Sequence, residues 1–315
     1  MSALSKELDR YLTIRRGLGY DLGTTERILR RYITFADQQH ADYITTDLFL
    51  GWQATFGHAK RPTWSARLGI VRIFAQWLHG IDPKHEVPPR SLIPGRRRRS
   101  RPYIYSDEEI RRIVETAAEL QSINGIRALT YSTMFGLIAV TGLRLREAIS
   151  LDDRDVDLAT GVLRIRRGKF GKERLVPVSS STLLQLISYA KERNRLLASR
   201  PEPFFVSDQG TRPTDCSTRY NFARVCQRIG LRCPEKYLRH GRGPRIHDLR
   251  HTFAARTIVN WYRMGLDAGR EMIKLSTYLG HSKPESTYWY IEAVPELLEL
   301  ASQRATTCLA QEVQS

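Results

Sequence analysis

Cysteine is scarce in this sequence of 315 residues, which has four: Cys216, Cys226, Cys233 and Cys308. No two of them form a Cys-x-x-Cys pair, and their gaps suit neither a zinc ribbon nor a small disulfide framework. We therefore expect free thiols, the usual state of cysteine in a reducing cytosol.

Long apolar runs are also missing. No stretch approaches the roughly 18 consecutive apolar residues that a membrane-spanning helix needs. The first residues, MSALSKELDR, lack the apolar segment of a signal peptide. These absences predict a soluble, cytoplasmic protein.

Negative charge is in deficit, because 33 Asp and Glu face 50 Lys and Arg, a net charge of +17. Basic side chains gain free energy when they release the counterions condensed on a phosphate backbone. The excess predicts a polyanionic partner, either a nucleic acid or, as the alternative, an anionic membrane surface.

The first third of the chain has the pattern of a small helical domain with basic faces. Residues 1–100 hold 17 Lys and Arg against 9 Asp and Glu, a net charge of +8. Apolar residues recur at helical spacing over 28–36 and 68–78, and shorter patterns of the same kind start near Leu4 and Thr45. Four short helices are the predicted unit.

A proline-rich and arginine-rich stretch separates this unit from the rest. Four prolines between Pro83 and Pro94 exclude a continuous helix. Five arginines follow within six residues: Arg96, Arg97, Arg98, Arg99 and Arg101. We predict a helical domain over 1–87 and a linker over 88–102, whose arginines are either simply solvated or, as we favour, cross a DNA backbone.

The second domain, predicted over 103–291, combines helical and strand patterns. Ser106–Glu109 has the form of a capping box, and the apolar run 126–140 predicts a buried helix. Residues 161–168 and 174–178 predict a β-hairpin, and 203–206 a candidate third strand. From Thr214 onward we predict mostly helix, so the fold class is mainly α with a small β-sheet.

Four motifs in this domain contain side chains suited to phosphate chemistry. They are Thr141–Glu147 with Arg144; the turn Gly168–Lys172 with Lys169; His247–His251 with His247 and Arg250; and Leu279–Ser282 with His281, followed nine residues later by Tyr290. Each alone has an ordinary explanation, such as a structural Arg144–Glu147 pair or a solvated turn lysine. His247 and His251 also have the spacing of a helical zinc site, but Asp248 stands where that motif requires Glu.

Taken in order, these motifs resemble the tyrosine recombinase family, which includes phage integrases and the Xer recombinases. The resemblance covers nearly the whole chain, more loosely before residue 103. It implies an N-terminal, four-helix, SAM-like core-binding domain and a mixed α+β catalytic domain. The Tyr-Trp-Tyr run at 288–290 and the 31 residues from Arg250 to His281 suggest the branch carried by transposons and other integrative elements.

The resemblance also implies roles for individual residues. Arg144 and Arg250 would clamp the scissile phosphate with His281 as a further donor, and Lys169 would protonate the leaving 5′ oxygen. His247 would assist proton transfer, and Tyr290 would attack and hold the DNA as a 3′-phosphotyrosine, with Tyr288 expected to pack instead. No metal, ATP or other cofactor is implied. The implied partners are double-stranded recombination sites and a tetramer with copies of the chain or with related recombinases.

Elementary chemistry is consistent with this set of residues. A tyrosine hydroxyl, with a pKa of about 10, is a poor nucleophile at neutral pH, and nearby cations make its phenolate easier to form. Attack on a phosphodiester builds negative charge on the phosphoryl oxygens, which Arg and His donors stabilise.

Three alternatives stay open at this point. The tail 292–315, with an apolar helical face, packs either on its own domain or on a neighbouring protomer. The same chemistry would serve a type IB topoisomerase. A non-catalytic DNA-binding accessory protein would use the same scaffold, but its hallmark would be loss of Tyr290 or of a clamp arginine, and none is missing.

Overall fold

The computed structural model describes residues 2–55, 59–95, 101–166, 173–235, 238–281, 285–293 and 299. The chain divides into two compact units, residues 1–100 and 101–315. In the described residues, no helix is both long enough and apolar enough to cross a membrane.

The described part of unit 1 contains four helices, in agreement with the sequence pattern. They are α1 (Ala3–Gly17), α2 (Gly23–Gln38), α3 (Thr46–Thr55) and α4 (Arg61–His79). Aromatic rings fill the space between them; Trp52 and Trp64, for example, meet edge to face at 5.2 Å. Ile93, within the stretch predicted as a linker, is buried in this same core.

Unit 2 is mostly helical. Its described helices are α5 (Asp107–Ala118), α6 (Ile126–Thr141), α7 (Leu145–Ile149), a 3-10 turn (Asp153–Asp155), α8 (Ser180–Leu197), α9 (Asp215–Arg228), α10 (Ile246–Arg263), α11 (Ala268–Leu279) and α12 (Glu285–Ala293). The capping box at the start of α5 is present, because Ser106 Oγ accepts from Glu109 N–H and the Glu109 carboxylate accepts from Ser106 N–H. Helix α6 is the buried apolar helix that the sequence predicts, and it packs against α5, α8 and α10.

Two small antiparallel sheets complete the described part of unit 2. The strands β1 (Val156–Asp157), β2 (Val162–Ile165) and β3 (Arg174–Pro177) form one sheet in that order, with Leu163 opposite Val176. The strands β4 (Cys233–Glu235) and β5 (Leu238–Arg242) form a separate hairpin. The predicted hairpin is therefore confirmed in its two strands, while its turn, which contains Lys169, lies outside the described residues.

One sequence prediction about a strand is wrong, and the prediction of mostly helix after Thr214 is confirmed except for one short hairpin. Residues 203–206 do not form a strand: Phe204, Phe205 and Val206 are buried in the core, and only Pro203, which is half-buried, forms an isolated bridge, with Asp152. The helical prediction after Thr214 missed the β4–β5 hairpin. Proline and glycine interrupt both of its strands, so the alternation that marks a strand is absent.

Near the C-terminus, α10, α11 and α12 enclose a small apolar core. It consists of Ala254, Ala255, Ile258, Val259, Met272, Leu275, Leu279 and Tyr290. The 31 residues from Arg250 to His281 are mostly helix, because α10 continues to Arg263 and α11 starts at Ala268. The apolar face predicted for the tail, from Val294 to Leu309, lies outside the described residues.

Candidate active site

The first predicted clamp residue, Arg144, lies at a sharp turn between two helices. Gly142 ends α6 in the left-handed region, at φ 63°, and Arg144 then occupies the position before α7. A Cβ on Gly142 would lie 2.6 Å from the Phe253 ring, so the turn requires glycine for both its backbone and its contacts. This turn leads the Arg144 side chain away from the buried helix, and the side chain is 22% exposed.

Glu147 is a buried anion between two arginines. Its carboxylate accepts from Arg144 Nη1 at 2.7 Å and from the Arg144 backbone N–H at 2.9 Å. Arg174, at the start of β3, donates to it from Nη1 at 3.0 Å and from Nη2 at 2.7 Å. Burial alone would raise the pKa of Glu147, but the hydrogen bonds and charges of Arg174 and Arg144 outweigh it and lower that pKa to about 2.

The second predicted clamp residue, Arg250, is buried in the first half of α10 and is only 1% exposed. Its Nη1 donates to Gly142 O at 2.6 Å, and its Nη2 donates to Leu279 O at 2.7 Å. Burial, followed by the neighbouring charge of Arg144, lowers the pKa of Arg250 to about 10. The guanidinium is thus charged at neutral pH and fixed between the ends of α6 and α11.

The C-terminal end of α11 gathers three guanidinium groups. Arg174 Nε donates to Tyr278 O at 2.8 Å, Arg250 to Leu279 O, and Arg144 Nη2 to Gly280 O at 2.8 Å. Carbonyl groups at the end of a helix carry partial negative charge, which favours cations there. Three consecutive carbonyls therefore hold the three arginines side by side, although the residues come from separate parts of the sequence.

Gly280 makes this arrangement sterically possible. It adopts φ 64°, and a Cβ there would lie 3.0 Å from Arg174 Nη1 and 3.5 Å from Arg144 Nη1. A larger residue would therefore meet both a strained backbone and the arginine side chains.

His281 follows directly after this glycine. Its backbone N–H bonds to Ser276 O at 2.9 Å, and its Nδ1 lies 2.7 Å from the hydroxyl of Thr287, which is fully buried on α12. The ring is half-buried. The contact with Thr287 fixes the orientation of the imidazole beside the arginine cluster.

His247 lies at the start of α10, in the first turn of the helix. Desolvation, together with the positive charges of Arg250 and Arg144, lowers its pKa to about 4. The two guanidinium groups act in the same direction as desolvation, because each disfavours a second positive charge on the imidazole. His247 is accordingly neutral at physiological pH.

Tyr290 is nearly enclosed on α12, with 2% of its surface exposed. Its ring belongs to the apolar core of α10–α12, and its hydroxyl lies 2.9 Å from Nδ1 of His251. When ionised, this hydroxyl raises the pKa of Arg250, so it is within electrostatic reach of the predicted clamp. Tyr288, which was expected to pack rather than attack, is 44% exposed, so any packing that it makes is at the surface.

Four of the predicted residues lie within bonding or electrostatic range of one another. Arg144 and Arg250 both donate to carbonyls at the end of α11, and the charges of both lower the pKa of His247. Tyr290, when ionised, raises the pKa of Arg250. His281 adjoins the same helix end. Lys169 and Arg96–Arg99 lie outside the described residues, and Arg101 is exposed at the start of unit 2. Sequence reasoning gave no role to Arg174 or Thr287 and considered His251 only as a metal ligand.

A metal-binding cluster is not found among the residues that the structure describes, when groups of three or more His, Cys, Asp or Glu are sought. His247 and His251 do lie together, with ring centroids 4.6 Å apart.

Comparison with known proteins relates this site to a family. Residues 104–296 match the sequence model of the phage integrase family. A putative integrase/recombinase of Sinorhizobium fredii is 40% identical over 309 residues, which cover 96% of this chain and 97% of that protein. A tyrosine recombinase XerC of Chromobacterium violaceum is 31% identical over 234 residues, covering 71% of this chain and 67% of the other.

The fold is shared with solved structures as well. A lambda integrase in a tetramer bound to a Holliday junction aligns with a TM-score of 0.60 at 16% identity. The alignment covers 89% of this chain and 78% of that one.

Proposed function

Because the chain belongs to the phage integrase family of tyrosine recombinases, we propose that it cuts and rejoins DNA at specific sites through a 3′-phosphotyrosine at Tyr290. The observation that carries this proposal is the cluster at the end of α11. There Arg144 and Arg250 donate to the carbonyls of Gly280 and Leu279, which directly precede His281 in the chain, and the hydroxyl of Tyr290 is within electrostatic reach of Arg250.

The arginine cluster supplies what a phosphodiester needs in the transition state. Negative charge builds on the non-bridging oxygens, and donors fixed in advance stabilise it without reorganising. Arg144 is the more accessible of the two arginines, and its position is set by Glu147 and Gly280. Arg250 contributes a positive charge in a site of low dielectric constant, and His281 is the proposed third donor.

The covalent step joins Tyr290 to the 3′ phosphate and releases a 5′ hydroxyl. Lys169 is proposed as the group that protonates the leaving 5′ oxygen. The energy of the broken phosphodiester is retained in the phosphotyrosine, so the strand can be rejoined without ATP. We further propose that neither a metal ion nor another cofactor takes part.

The relatives and the charge support a proposal for the biological role. A protein that is 40% identical is named a putative integrase/recombinase, which supports integration, excision or transposition of a mobile element. We propose that residues 1–87 and the arginines Arg96–Arg99 and Arg101 bind the DNA duplex, that residues 103–291 carry out catalysis, and that four protomers act together. The tail 292–315 is the candidate contact between protomers.

The experiment uses a nicked duplex that carries candidate sites from the source element. The nick lets a short fragment diffuse away after cleavage, so that the covalent complex accumulates. Wild type, Tyr290→Phe and Tyr288→Phe are compared for a protein–DNA adduct that survives SDS in the presence of EDTA. Labels on either side of the scissile phosphate identify which strand end is attached.

The proposal predicts an adduct on the 3′ phosphate for wild type and Tyr288→Phe, and none for Tyr290→Phe. An adduct in Tyr290→Phe but not in Tyr288→Phe would assign the nucleophile to Tyr288. If wild type binds a site but forms no adduct on it, the catalytic function is wrong.

A further inference from the structure

His251 is in direct polar contact with the proposed nucleophile. Its Nδ1 lies 2.9 Å from the Tyr290 hydroxyl, a normal hydrogen-bond length. The two rings are tilted by 60° with centroids 5.5 Å apart, and Trp289 packs against the same imidazole at 5.6 Å. The rings of His251, Trp289 and Tyr290 thus pack against one another beside this contact.

His247, the histidine that the family resemblance connects with proton transfer, is placed differently. In the described part of the chain its ring meets the His251 ring edge to face at 4.6 Å and forms no hydrogen bond with Tyr290. Its pKa, lowered to about 4, also makes it a weak proton acceptor.

We propose that His251 orients Tyr290 and accepts its hydroxyl proton during strand cleavage. This inference rests on the proposed function and specifies one step of it. With the ring hydrogen on Nε2, Nδ1 presents a lone pair to the phenol, and the helix holds the imidazole in place. His247 then supports the His251 ring from the preceding turn of α10.

The bonds and protons balance in both directions. As the Tyr290 oxygen forms its bond to phosphorus, its proton moves to Nδ1 and His251 becomes an imidazolium. The bond from phosphorus to the 5′ oxygen breaks, and the 5′ oxygen takes a proton from the proposed general acid, Lys169. In rejoining, the 5′ hydroxyl attacks phosphorus and gives its proton back to the neutral amine of Lys169. The bond from phosphorus to the Tyr290 oxygen breaks, and the imidazolium returns its proton to the departing phenolate.

Two substitutions separate positioning from proton transfer. His251→Ala removes both functions. His251→Asn places an amide oxygen close to the position of Nδ1, so it can still accept the hydrogen bond but does not take up a proton near neutral pH. Asn260→Ala is the matched control, because Asn260 is an exposed residue on the same helix.

The assay measures single-turnover cleavage of the nicked duplex by the full chain, with DNA binding measured in parallel. Both His251 variants are expected to cleave about 100-fold or more slowly than wild type, the usual range for loss of a general base. Added imidazole is expected to restore part of the rate in His251→Ala and none in His251→Asn. A 5′-phosphorothiolate substrate, whose sulfur leaves without a proton, should rescue neither variant but should rescue Lys169→Ala.

Three results would overturn the role of His251. The first is a cleavage rate equal to that of wild type in His251→Asn, and the second is rescue of the His251 variants by the phosphorothiolate. The third is faster cleavage than wild type in His251→Ala, which would mean that the hydrogen bond restrains Tyr290 from attacking. In each of these cases the wild-type adduct and its loss in Tyr290→Phe would leave the proposed function intact. Absence of the adduct from wild type itself would instead overturn both.

Discussion

Replacement of Glu147 by glutamine tests whether this buried carboxylate organises the arginine cluster. Glutamine keeps the size of the side chain but removes the charge that faces Arg144 and Arg174. The pKa of Glu147 falls from an ordinary value of 4.5 to about 2 on folding. At about 1.4 kcal/mol per pH unit, this difference corresponds to about 3 kcal/mol of stability at neutral pH.

The pH dependence has a definite sign. Because the folded-state pKa of Glu147 is lowered, the stabilisation is fully present above the unfolded-state value of 4.5 and is lost as the pH falls toward 2. The difference in free energy of unfolding between wild type and Glu147→Gln should therefore be largest near neutral pH and should shrink steadily below about pH 4.5.

Unfolding in urea is monitored by hydrogen exchange in peptides from α6. Because α6 belongs to unit 2, the measured midpoint is that of unit 2 alone. With a denaturant dependence of about 3 kcal/mol per molar urea, the midpoint should fall by about 1 M. Glu192→Gln is the control, because among the described residues Glu192 forms its ion pair with Arg195 on the surface of α8, and little change is expected. A midpoint within about 0.2 M of wild type, or a difference that stays constant down to pH 3, would refute the reasoning.

Four further predictions concern neighbouring residues. Arg250→Lys, which cannot bond both Gly142 O and Leu279 O as a planar fork, should slow single-turnover cleavage by roughly 100- to 1000-fold while DNA binding in a gel-shift assay persists; cleavage within threefold of wild type would contradict its role. Gly280→Ala should lower the thermal midpoint more than Gly265→Ala, since both glycines have positive φ but only Gly280 faces the arginines; equal losses would mean that backbone strain alone matters. Thr287→Val should reduce cleavage about tenfold by releasing the His281 ring, and an unchanged rate would show that this bond does not position the ring. Because the folded-state pKa of His247 is lowered from 6.5 to about 4, the unfolded chain binds more protons than the folded chain between these pH values, and stability should fall as the pH drops through that interval. His247→Gln should remove this part of the pH dependence of the melting temperature. Identical profiles for wild type and variant would contradict the lowered pKa.

Local patterns predicted much of unit 2 because each depends on neighbours in the sequence. The capping box at Ser106 and the helix from Ile126 follow from spacing within a single helix. The contact of Arg144 with Glu147 spans three residues, and the sequence offered it as a structural pair. The same pair fixes the position of Arg144 in its proposed role as a clamp residue, so the two interpretations of Arg144 are compatible.

Contacts between distant segments could not be predicted in this way. Arg174 bonds Glu147, 27 residues away, and Tyr278 O, 104 residues away, and nothing in the pattern of β3 indicates either partner. His251 and Tyr290 are 39 residues apart, and their contact depends on how α12 packs on α10. The opposite exposure of Tyr288 and Tyr290 likewise depends on the rotation of α12, which two tyrosines in one short run do not reveal.

The measurement that tests the central claim most directly is identification of the residue joined to DNA. The covalent complex formed on the nicked duplex is digested with nuclease and trypsin, and the modified peptide is fragmented in a mass spectrometer. The expected peptide, residues 275–304, contains Tyr278, Tyr288 and Tyr290. We predict a nucleotide attached through its 3′ phosphate to Tyr290; attachment to another residue, or through a 5′ phosphate, would contradict the account.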